Sequence, residues 1–131
     1  MKQSLSRETY SIFSLEVDKS ETRFKTVDEI IGYLKERIMA HEIARFITVF
    51  DHYAHTRSLE YGQISDEILD AKNIVLCFGI TLPGPEVMAE RPRSIGICEL
   101  KGRFFITFME APMPVANSAM EEWVKSIPDQ G

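Results

Sequence analysis

Between positions 51 and 57 the chain reads Asp51-His52-Tyr53-Ala54-His55-Thr56-Arg57, which sets a carboxylate, two imidazoles and a guanidinium within seven positions. An unperturbed histidine titrates near neutrality, so His52 is the candidate general acid or base, and Arg57 is the cation that would fix an anionic substrate. If the segment after Phe50 is helical, His52 and His55 fall three apart on one face. They would then present two imidazoles to a divalent metal, with Asp51 as a third ligand or as an orienter of the histidine. Such a site lacks both the four ligands of structural zinc and the His-Glu-x-x-His spacing of catalytic zinc. The plainest account of the same residues is structural: Asp51 caps the turn that follows, His52 hydrogen-bonds at a strand end, and Arg57 pairs with a surface carboxylate.

No nucleophile accompanies the cluster. Cys77 and Cys98 each lie inside an apolar run, where a free thiol behaves as a small core residue, and they could pair only if neighbouring strands brought them together. The sequence contains no Gly-x-Ser-x-Gly elbow, so hydrolase chemistry has no support. Met88, Met109, Met113 and Met120 are spaced too irregularly for a soft-metal site and are expected in the core. Pro83-Gly84-Pro85 lacks the glycines and the lysine of a phosphate cradle and reads as a rigid turn.

Elements that position the cluster can be read from periodicity. Tyr10 to Asp18 alternates imperfectly, as a strand with one wetter face does. Thr26-Val27-Asp28-Glu29 has the form of a capping box, and Val27, Ile30, Ile31, Leu34 and Ile38 then recur at helical spacing. Arg45 to Phe50 is dense in β-branched and aromatic residues, a strand expected near the centre of the sheet that delivers the Asp51 to Arg57 cluster at its end. A helical turn is expected near Ser65 to Asp70. Asn73 to Ile80, apolar almost throughout, reads as the middle strand, covered on both faces.

Pro85 opens a short helix that Pro92 stops. Ser94 to Leu100 and Arg103 to Met109 flank Lys101-Gly102, a hairpin signal for a primed turn. The closing helix is expected from Asn117, with Met120, Trp123, Val124 and Ile127 on one face before Pro128. Trp123 and the methionines around it are either core or an apolar surface for a larger complex. The fold class is therefore α+β, a mostly antiparallel sheet of about five strands packed by helices in the order β-α-β-(α)-β-α-β-β-α.

At 131 residues the chain has the length of one domain, here 1–131 with an ordered core of about 9–127. With 20 acidic against 15 basic residues, the net charge of −5 gives a phosphate backbone no overall attraction, and nucleic acid is excluded as the expected partner. No apolar stretch approaches the ~20 residues of a membrane span, and no signal core opens the chain, so a cytoplasmic protein with reduced thiols is expected.

The order of short motifs resembles the family catalogued as domain of unknown function 302. Thr26 to Glu29 corresponds to its helix start; Asp51, His52, Ala54 and Arg57 to its strand end; Phe78-Gly79, Met88, Pro92 and Glu99 to later positions, over roughly 10–109. Ile80-Thr81-Leu82-Pro83 stands where that family has Gly-Asn-Pro, and Arg91-Pro92-Arg93 where it has Leu-Pro-Leu. The resemblance implies a small α+β domain, often dimeric, without an agreed activity, and the sequence identifies no cofactor. The expected function is thus a non-enzymatic binding or interaction module, as a homodimer, with a small-molecule site at Asp51, His52, His55 and Arg57. An enzyme using His52, or a metal protein using His52 and His55, is the alternative.

Overall fold

The computed structural model describes residues 1–5 and 9–129. Five strands form one antiparallel sheet: β1 (Ile12–Asp18), β2 (Arg45–Phe50), β3 (Asp70–Cys77), β4 (Arg93–Leu100) and β5 (Arg103–Met109). Three α-helices accompany them: α1 (Val27–Ala40), α2 (His52–Ser58) and α3 (Pro114–Lys125), with 3₁₀ turns at Lys19–Glu21 and Pro85–Ala89. The α+β architecture and the element order are those expected. No helix among the described residues is long and apolar enough to cross a membrane.

Helix α1 starts where the capping signal placed it. Thr26 Oγ1 accepts from the Glu29 N–H at 3.1 Å, and the Glu29 carboxylate turns back to accept the Lys25 N–H at 3.1 Å. Its apolar stripe Val27, Ile30, Ile31, Leu34 and Ile38 is buried against Ile74 and Leu76 of β3, Ile95 and Ile97 of β4, and Phe104 and Ile106 of β5. Helix α3 adds Ala116, Met120, Trp123 and Val124 to the same core. Each of the large apolar side chains among them contributes about 1.5–3 kcal/mol relative to exposure. Thr22, the one buried polar residue in the described core, donates Oγ1–H to the Ile127 carbonyl at 2.7 Å and so ties the segment just after α3 to the chain before α1.

Strand order is β1-β5-β4-β3-β2, which corrects two expectations. Arg45–Phe50 is an edge strand, and the middle of the sheet is Arg93–Leu100, with Asp70–Cys77 one place from the edge. The apolar run of β3 suggested cover on both faces, but only Ile74 and Leu76 are buried; Val75 and Cys77 alternate to the other face and are partly exposed. That outer face carries no α1 or α3. Phe50, Asn73, Gly96, Thr107 and Ser14 lie side by side across all five strands there, a row of mostly small or polar residues. Between Phe46 and Thr48 the β2–β3 register shifts by one residue, leaving Ile47 as a bulge.

Other departures have local causes. Strand β1 begins at Ile12 rather than Tyr10. The helix between β2 and β3 is α2 itself, and Ser65 to Asp70 holds only a turn at Asp66 and Glu67. Helix α3 starts at Pro114, because proline suits a first turn, while Asn117 uses its side-chain amide to bridge both backbone groups of Ala111 at 2.6 Å. In the β4–β5 hairpin Gly102 alone takes positive φ (78°), so the turn is not of the primed type, which needs a positive φ at its first central residue. Met120 and Trp123 are buried, so they form no docking surface, whereas Met88 and Met109 are exposed and lie outside the core expected for them.

Candidate functional site

The segment after Phe50 is helical because Asp51 caps it. Asp51 Oδ1 accepts the Ala54 N–H at 2.9 Å, and its Oδ2 lies 3.7 Å from Lys72 Nζ. Lys72 also pairs with Asp28 in the first turn of α1, so one ammonium ties the starts of two helices to β3. Its side chain is only 17% exposed. The hydrogen bond to Asp28 raises the Lys72 pKa above the ordinary value of 10.5, with further support from the charges of Asp28, Asp70 and Asp51 against the cost of burial. The Asp51 carboxylate is thereby committed to structure.

His52 points to the outer sheet face. Its Nδ1 lies 3.2 Å from Asn73 Oδ1, and Phe50 packs against the ring with centroids 5.2 Å apart. With Asn73 Oδ1 as acceptor Nδ1 is the donor, and in the neutral ring Nε2 is then the acceptor. His55 rests on the same Phe50 ring, also at 5.2 Å. The two imidazoles thus clasp one phenyl group. Among the described residues no three of His, Cys, Asp and Glu are grouped so as to hold a metal ion. Arg57 is exposed, and no carboxylate among the described residues lies within ion-pairing distance of it.

Under α2 the outer face is hollowed into a pocket of about 260 Å³. His52, Tyr53 and Thr56 form its wall on the helix, Gln63, Ile64, Ser65 and Ile68 its rim on the following loop, and Ala71 and Cys98, paired across β3 and β4, its floor. His55 and Arg57 do not line it, so the structure brings one of the four candidate residues to a cavity. Burial pushes the Cys98 thiol above its ordinary pKa, and the carboxylates of Asp70 and Glu67 push it the same way. It stays protonated at neutral pH and serves as apolar lining, not as a nucleophile. Three larger depressions, about 460 Å³ beside Glu121 and Lys125, about 520 Å³ beside Lys35 and Arg45 and about 370 Å³ beside Arg23 and Tyr33, lie open away from this cluster.

The chain belongs to a family of unknown function, DUF6858. The family model matches residues 1–129, nearly the whole sequence. No curated protein and no solved structure matches this DUF6858 member.

Sequence reasoning missed Asn73, Tyr53, Thr56 and Cys98 as site residues. The available signal was Asn73, an amide at the head of the apolar run that fills the second half of β3. The third histidine, His41, was also passed over. It ends α1, and its Nδ1 accepts the Ile43 and Ala44 N–H groups at 3.1 and 3.0 Å while its ring meets Phe78 and Trp123 edge-on. His41 therefore builds the turn into β2. The two cysteines, although on neighbouring strands, are both free: Cys98 is paired with Ala71, six residues from Cys77, or about 20 Å along the strand.

Proposed function

We propose that this DUF6858 member is a non-enzymatic binding module for a small, uncharged, partly apolar molecule that donates a hydrogen bond to His52 Nε2. The observation that carries this reading is the His52–Asn73 hydrogen bond at the wall of the α2 pocket, which fixes one ring nitrogen and leaves the other as an acceptor. A few polar groups converging on an apolar floor are what orient a ligand, and the small volume suits a molecule below drug size. The protonated Cys98 and the capped Asp51 supply neither nucleophile nor free base, and Arg57 lies away from the pocket, so a catalytic set around His52 has less support. The homodimer expected from the family resemblance belongs to the same proposal. Ile12 and Met109, paired across β1 and β5, are 67% and 53% exposed and offer apolar surface for it. The shared motif order supports a distant relation to the domain of unknown function 302.

Phenol is a suitable probe, because it combines an apolar ring with one strong donor. Titration followed by amide NMR should shift Thr56, Ser65 and Ala71 saturably. Toluene should bind less well, and His52→Ala should abolish the difference between the two. Equal binding of phenol and toluene to the wild-type chain would sink the assignment of His52.

A further inference from the structure

A second cavity lies at the opposite end of β3, remote in sequence from α2. Its volume is about 190 Å³, room for roughly six waters at ~30 Å³ each. Ile43, Phe78, Ile80, Met113 and Val115 make the lining apolar, and Arg91 is its charged member. Ile80 and Val115 are 80% and 57% exposed, so the lining offers apolar surface that an occupant would cover.

The Arg91 guanidinium is placed, not free. Nη1 donates to the Thr81 carbonyl, and the group lies over Gly79, in the space that a Cβ would take. Any Cβ there would make the guanidinium move. Nearby Arg93 spends its guanidinium on the Glu90 and Met109 carbonyls. Arg91, in contrast, has donors left over, and no carboxylate among the described residues lies within ion-pairing distance of it.

We infer that this cavity binds a small apolar monoanion, a short aliphatic or aromatic carboxylate, with its tail among Phe78, Ile80 and Val115 and its carboxylate on Arg91. A planar guanidinium matches a carboxylate by two parallel hydrogen bonds, and an apolar surround strengthens each of them. This site is independent of the α2 pocket, and its ligand differs in charge from the one proposed there.

The test is an amide NMR titration of the full chain with sodium hexanoate, using hexanamide as the uncharged control. Hexanoate should shift Gly79, Thr81 and Val115 saturably, with affinity about tenfold or more above that of hexanamide. Arg91→Gln should bring hexanoate down to the level of the amide. Gly79→Ala, which evicts the guanidinium without removing it, should do the same, and serves if Arg91→Gln fails to fold. Equal affinity for acid and amide, an acid preference that survives either substitution, or no saturable shift would each overturn the inference.

Discussion

The two faces of the sheet are built from the same strands and have opposite chemistry. On the inner face Ile74, Leu76, Ile95, Ile97, Phe104 and Ile106 are sealed under α1 and α3. On the outer face, among the described helices, α2 is the one that packs on β3 beside the row from Phe50 through Asn73, Gly96 and Thr107 to Ser14. Stability is concentrated on one side, which leaves the other free to carry a hydrogen-bonded histidine and a hollow. Polar groups there satisfy one another in short chains: Ser14 and Thr107 hydroxyls meet at 3.0 Å, and the Thr107 hydroxyl also donates to the Phe13 carbonyl.

That division can be broken most sharply from the inner face. Ile97→Ala, at a position with no exposure, should cost about 2–5 kcal/mol in urea unfolding, because the packed core closes poorly over the missing methyls. Its outer-face counterpart, Val75→Ala, should cost about 1 kcal/mol or less, since that side chain is already partly in water. If the two losses were equal, the outer face would be a second core and the asymmetry would fail.

Lys72 sits where the two sides meet, and its effect should be the smallest and the most dependent on pH. A folded pKa raised above the ordinary 10.5 means that its contribution is full below that pH and is lost as pH climbs through the folded value. Lys72→Met keeps the stem and removes the charge. Wild type should exceed it by about 1 kcal/mol or less at neutral pH, since Asp28 and Asp51 are well solvated, and the gap should close in strong alkali. A gap that stays constant across that range would show the pairing to be energetically idle.

Much of this was legible in the chain wherever the signal was local. The Thr26 to Glu29 box and the helical stripe behind it act within a few residues and appear as read, and the hairpin at Gly102 appears where it was read although its turn is not of the primed type. What failed was long-range. Nothing near Arg45 to Phe50 says that its far side lacks a neighbour, and an apolar run alone cannot tell a middle strand from one partly covered by a short helix. The site followed the same rule. Asp51 as a cap is a three-residue event and was readable, whereas His52 meeting Asn73 spans 21 positions and depends on the β2–β3 register. His55 and Arg57 shared the cluster in sequence but diverged around the turns of α2.

The bulge at Ile47 bears on how copies of this chain avoid one another. A sheet edge offers a template to any passing strand, and β2 is such an edge. The extra residue throws the spacing of its outward N–H and C=O groups out of step partway along, so an incoming strand that matched Arg45 and Phe46 would miss at Thr48. The other edge, β1, pairs without interruption from Ile12 to Asp18 and is guarded by the carboxylates of Glu16 and Asp18 instead. One flank is protected by geometry and the other by charge. Glu16→Gln with Asp18→Asn, which removes those charges and leaves the bulge intact, should therefore open β1 to fibrillar strand addition, read as thioflavin fluorescence, well before β2.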